Sequence, residues 1–131
     1  MMKIQVITLF PEMFPGVMDV SMLWKAQDRK LAEISYINLR YFGQGPRKVV
    51  DDTPYGGGDG MLLKPEPLFA AVRRAKQADP KALVVLMTAR GERLKQARLR
   101  ALADGGKGLI IICGRYEGYD ERITELVDLQ I

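Results

Sequence analysis

Two uninterrupted apolar runs, Leu83-Val-Val-Leu-Met-Thr88 and Leu109-Ile-Ile-Ile-Cys113, constrain the fold of this chain more than any other feature. A strand with one wet face alternates apolar and polar residues, whereas a run that is β-branched or aliphatic throughout belongs to a parallel sheet covered on both faces. Lys3–Leu9 and Glu33–Leu39 read as two further strands. Leu68, Val72 and Ala75 recur at helical spacing behind Pro65, a suitable first-turn residue, and Leu94, Ala97, Ala101 and Leu102 repeat that spacing. Phe14, Val17, Met18, Met22 and Trp24 mark an earlier helical stretch and count as core candidates. The stretch from Asp120 to Val127 opens with the acidic residues that suit a helix N-terminus. Strands alternating with helices predict an α/β fold, a parallel sheet flanked by helices, and 131 residues fit one domain.

Composition narrows the function classes. The chain is 47% hydrophobic and 27% charged, as expected of a soluble globular protein. No apolar run approaches the ~20 residues that cross a bilayer, and the start lacks the features of a secretory signal, so a cytoplasmic location is expected, with no membrane partner. Histidine is absent, which removes the commonest general base and metal ligand, and no Cys and Asp set has metal-site spacing; neither a zinc enzyme nor a serine hydrolase is expected. The only cysteine, Cys113, ends a strand and reads as a buried reduced thiol. The net charge of +4 is unevenly placed, with Arg90, Arg93, Lys95, Arg98 and Arg100 in one stretch and Glu117, Asp120, Glu121, Glu125 and Asp128 near the end. The basic stretch permits RNA binding, although a charge run is also the ordinary wet face of a helix.

Three segments carry chemistry. Tyr41–Lys64 is rich in Gly, Pro and charge and reads as a long loop, the kind of segment that is usually functional or disordered. Its glycines from Gly56 to Gly60 let another molecule approach the backbone, but no Walker or dinucleotide pattern is completed, so a flexible turn and a ligand loop both fit. Leu83–Gly91 is a buried strand running into a glycine turn, where ligands of open α/β sheets bind. Cys113-Gly-Arg-Tyr-Glu-Gly-Tyr-Asp-Glu-Arg122 follows the other buried strand and brackets a cation, an aromatic and a carboxylate between two glycines. A surface Arg115–Glu117 pair with a packing Tyr116 is the plain alternative for that turn.

Taken in order, Leu9-Phe-Pro-Glu-Met-Phe14, Val50-Asp-Asp-Thr-Pro-Tyr-Gly-Gly-Gly-Asp-Gly-Met61 and Cys113–Arg122 closely resemble the bacterial tRNA (guanine-N1)-methyltransferases, of the SPOUT superfamily with a deep trefoil knot. The resemblance spans nearly the whole chain. It implies methyl transfer from S-adenosylmethionine to N1 of the guanosine just 3′ of the anticodon of tRNA, with no DNA partner, by a homodimer whose active site draws on both subunits. Carried over by motif, the adenosine-holding turn matches Leu86, Met87, Thr88 and Ala89, and the second cofactor loop matches Gly114, Tyr116, Glu117 and Gly118. Glu117 also matches a residue of catalytic importance, and Tyr55, Gly57, Gly58, Asp59 and Gly60 match the segment beside the target guanine. A sulfonium needs no metal to leave, so the protein must chiefly hold donor and acceptor in line and remove the N1 proton.

The chain departs from the family pattern in two places. Thr88-Ala-Arg-Gly91 stands where many relatives have Ser-Pro-Gln-Gly, and Phe42–Lys48 replaces a polar run that often contains histidine. The resemblance further implies a continuation past Ile131: a Gly-Asp-Tyr strand that closes the knot and the cofactor pocket, a linker with an aspartate taken as the base, and a helical tRNA-binding domain. On that expectation residues 1–131 are a single S-adenosylmethionine-binding domain, incomplete at its C-terminal end and inactive alone. A non-catalytic RNA- or partner-binding module is the rival reading. An unrelated nucleotide-binding domain is disfavoured by the missing phosphate motifs.

Overall fold

The computed structural model describes residues 1–43, 51–52, 62–114 and 118–131. In chain order the elements are β1 (Met2–Thr8), α1 (Pro15–Met18), α2 (Ser21–Asp28), β2 (Ala32–Asn38), β3 (Asp51–Asp52), β4 (Leu62–Leu63), α3 (Pro65–Ala78), β5 (Leu83–Leu86), α4 (Gln96–Asp104), β6 (Leu109–Ile112), β7 (Gly118–Tyr119) and β8 (Leu129–Gln130). Short 3₁₀ turns occupy Pro11–Met13, Leu39–Phe42 and Glu121–Leu126.

The main sheet has five strands in the order β2-β1-β6-β5-β8, and every neighbouring pair is parallel. Val84, Val85 and Leu86 are all buried, as are Ile110 and Ile112. Consecutive residues of one strand point to opposite faces, so this burial requires cover on both sides, as the unbroken apolar runs predict. One face packs on α3, whose Leu68, Ala71, Val72 and Ala75 are buried; Gln5, itself buried, donates from Nε2 to the Ala75 carbonyl at 3.0 Å.

The long Tyr41–Lys64 loop of the sequence reading contains regular pairing. β3 and β4 are antiparallel, and β4 pairs in parallel with β7, which makes a second sheet in the order β3-β4-β7. Two-residue strands leave no periodicity to read, so no pattern in the sequence marks them.

Three other expectations change. The helix inferred from Leu94 onward begins at Gln96, because the chain before it still pairs with the sheet edge: the Glu92 N–H donates to the Gln130 carbonyl at 2.9 Å. The acidic start at Asp120 does cap a helical turn, its carboxylate accepting from the Arg122 N–H at 3.0 Å, but the turn is 3₁₀ and ends at Leu126. It stops there because Asp128 is drawn into the sheet, where its backbone N–H donates to the Val84 carbonyl at 2.9 Å and its carboxylate accepts from the Val84 N–H at 2.8 Å. The core candidates of the N-terminal helices are largely wrong. Val17, Met22 and Trp24 are 62%, 70% and 50% exposed, with Val20 and Leu23 exposed beside them. Phe14 and Met18 are half-buried, Phe14 lying tilted on Tyr36 at 5.5 Å between ring centroids. α2 lies against the edge strand β2, so only one side of it finds cover.

Candidate functional site

β5 and β6 are paired in register through Leu86 and Ile112, so the segments that follow them emerge side by side at the carboxyl end of the sheet. Ligands of parallel α/β sheets bind there because the strands end and the connecting backbone turns away, leaving a crevice. Leu86 is buried and still part of the ladder, with its carbonyl accepting from the Ile131 N–H at 2.9 Å. Met87 is the first residue past the strand. Its N–H donates to the Ile112 carbonyl at 3.1 Å, and its side chain is exposed. Thr88 donates its N–H to the Ile131 carbonyl at 2.8 Å and accepts at its carbonyl from the Gly91 N–H at 3.0 Å, which closes the turn around exposed Ala89 and Arg90.

Across the crevice, Cys113 donates its N–H to the Ile7 carbonyl at 2.9 Å, and Gly114 follows with its backbone exposed. Cys113 is half-buried, and burial pushes its thiol up, which keeps it protonated. Gly118 is held in β7 by pairing with Leu62 of β4. The structure therefore brings Leu86, Met87, Thr88, Ala89, Gly114 and Gly118 to one end of the molecule. Tyr116 and Glu117 lie outside the described residues, as do Tyr55, Gly57, Gly58, Asp59 and Gly60.

The sequence reading missed Tyr119. Its hydroxyl donates to the Met87 carbonyl at 3.1 Å, and its ring passes so close to Gly114 that a Cβ there would lie 2.5 Å from Cζ and 2.9 Å from Cε1. Burial pushes the hydroxyl well above the ordinary tyrosine range; the Cys113 thiol adds to the rise, and a backbone hydrogen bond with Gly114 opposes it. The only signal in the sequence was an aromatic one residue past the second glycine of the Cys113–Gly118 turn.

The basic stretch is partly neutralised. Arg90 pairs with Glu121 at 3.1 Å, and Arg98 grips Glu92 through Nε at 2.6 Å and Nη2 at 3.1 Å. Both residues of the first pair are more than 80% exposed, so that pair adds little stability. Arg93, Lys95 and Arg100 have no carboxylate partner among the described residues.

Comparison with known proteins gives the family of the chain. A family model described as tRNA (Guanine-1)-methyltransferase TrmD matches residues 2–131. The chain is 47% identical over 131 residues to a tRNA (guanine-N(1)-)-methyltransferase of Dictyoglomus turgidum, covering 100% of this chain and 52% of that protein. It is 50% identical over 125 residues to the protein of the same name from Dehalococcoides mccartyi, covering 95% and 50% respectively. The crystal structure of tRNA (m1G37) methyltransferase from Aquifex aeolicus superposes with a TM-score of 0.89 at 36% identity, over 99% of this chain and 58% of that one. The chain thus spans about half the length of the curated relatives it matches. With its parallel sheet, its paired turns at the strand ends and this match over residues 2–131, the chain belongs to the tRNA (guanine-1)-methyltransferase family.

Proposed function

We propose that this chain is the cofactor-binding part of a tRNA (guanine-N1)-methyltransferase, taking S-adenosylmethionine at the carboxyl ends of β5 and β6 and serving methyl transfer to N1 of the guanosine 3′ of the anticodon. The single observation that carries the reading is the convergence of the Met87–Ala89 turn and Gly114 in one crevice, in a chain of this family. The residues fit such a group. Met87 offers an exposed apolar side chain, and Gly114 an exposed backbone beside it. Leu86, Met87, Thr88 and Ala89 would hold one side, and Gly114, Tyr116, Glu117 and Gly118 the other. When bound, the cofactor supplies a methyl group on a sulfonium.

The protein's task is to hold donor and acceptor in line, exclude water and manage the N1 proton. We assign Glu117 a catalytic role in that task, and Tyr55, Gly57, Gly58, Asp59 and Gly60 contact with the target guanine. Arg93, Lys95 and Arg100 support a tRNA partner, since cations without carboxylate partners among the described residues are available for phosphates. We place the reaction in the cytoplasm; among the described residues no helix is long and apolar enough to cross a membrane.

We also infer a homodimer, supported by the exposed Val17, Val20, Met22, Leu23 and Trp24 on and beside α1 and α2. Sedimentation should show a dimer that Trp24→Glu converts to monomer; identical sedimentation of the two would remove this face from the interface.

Titration calorimetry with S-adenosylmethionine tests the site, and saturable binding is expected. A radiolabelled methyl-transfer assay on unmodified tRNA tests the chemistry, comparing the 131-residue chain with the same chain joined to the remaining half of the Dictyoglomus turgidum relative. Transfer by the joined chain alone is the expected result. Absence of both binding and transfer, with tRNA still retained, would replace the enzyme reading with an RNA-binding module.

A further inference from the structure

Tyr119 belongs to the small sheet by its backbone and to the crevice by its side chain. In β7 it pairs with Leu63 of β4, as Gly118 pairs with Leu62, and β4 pairs in turn with β3. Among the described residues the two sheets share no strand. From β7 the ring reaches the carboxyl end of the main sheet, packs against the core cluster and passes over Gly114. Its hydroxyl then donates to the Met87 carbonyl at 3.1 Å. Met87 is otherwise tied to the sheet through its N–H on the Ile112 carbonyl, so the tyrosine fixes the other end of the same residue.

We propose that Tyr119 is a positioning residue that couples the β3-β4-β7 sheet to the cofactor crevice, holding the Met87 turn and the β3–β4 pair in one fixed relation. The proposal rests on the reading of the crevice as an S-adenosylmethionine site. Its physical basis is pre-organisation. The Met87 carbonyl lies past the end of the β5 ladder, and a ligand that must order such a group spends binding free energy doing so. One side-chain hydrogen bond that fixes the turn beforehand removes part of that cost. The same bond carries the small sheet along, because β7 cannot shift relative to Met87 without breaking it. The raised ionisation of the hydroxyl keeps it a donor throughout the physiological range.

Tyr119→Phe separates this role from plain packing, since the ring stays and only the hydroxyl leaves. Hydrogen exchange without ligand is read at the amides of Leu62, Leu63, Thr88 and Gly91, with the β1 and β6 amides as the check that the fold is intact. Faster exchange at both groups together, with the core unchanged, is expected. A rise at one group only, or at neither, would overturn the coupling. Calorimetry on the same variant should show S-adenosylmethionine binding weakened about 5-fold, the value of one ordinary hydrogen bond. Unchanged affinity in a folded variant would mean that the hydroxyl only packs. If the unsubstituted chain binds no S-adenosylmethionine yet the joint exchange response appears, the coupling stands and the functional reading falls.

Discussion

Replacing Gly114 by valine is expected to leave the main sheet folded and to weaken S-adenosylmethionine binding by about 100-fold or more. The glycine is exposed and does not adopt a left-handed backbone conformation, so a branched residue meets no backbone strain there. What it meets is Tyr119: a Cβ at this position collides with the hydroxyl and the Cζ end of the ring. That end belongs to a movable side chain, so the ring swings away and its bond to the Met87 carbonyl is lost. The valine methyls then occupy the crevice itself. Calorimetry, with circular dichroism as the fold control, measures the effect. The single variant Tyr119→Ala separates the two causes, because it loses the bond to Met87 and adds no methyls. A loss in Tyr119→Ala as large as that in Gly114→Val would assign the effect to the tyrosine. Undiminished binding in the folded single variant would remove Gly114 from the site.

Gly91→Ala should produce the largest loss of stability, about 2–4 kcal/mol, through overpacking and broken hydrogen bonds. A Cβ on Gly91 would lie 2.5 Å from both the N and C atoms of Ile131 and 2.7 Å from the Gln130 carbonyl carbon. These are backbone atoms, and no rotamer relieves the contact. The segment after Asp128 must therefore leave the edge of the sheet. With it go the bonds from Thr88 to Ile131, from Glu92 to Gln130 and from Ile131 to Leu86. Urea unfolding followed by circular dichroism gives the midpoint and slope. A midpoint within error of the unsubstituted chain would mean that β8 docks without depending on this close approach.

The sheet was legible because its physical requirement is written locally. Burial on both faces demands apolar side chains in succession, and Leu83–Leu86 and Leu109–Ile112 supply them with little interruption. α3 was legible for a similar reason, with Pro65 at its start and one apolar stripe. The N-terminal helices misled because their apolar residues look the same whether they face a core or open surface. Only the placement of α2 on an edge strand decides that Met22 and Trp24 are exposed. β8 was invisible: two residues carry no period, and its pairing depends on the Asp128 carboxylate reaching Val84, 44 positions away in sequence.

For the site, the sequence alone determined the chemistry on offer. It placed glycine turns directly after two buried strands, offered no histidine as a general base, and carried motifs that resemble one methyltransferase family, which the match over residues 2–131 bears out. The tertiary structure decided adjacency. That the turns at Met87 and Gly114 lie side by side follows from the pairing of β5 with β6, and the role of Tyr119 follows from β7 pairing with β4, which swings its ring across both turns. Residue type sets which bonds a side chain can make, but a donor and an acceptor 32 positions apart meet only where long-range strand pairing brings them together, and no local pattern encodes that pairing.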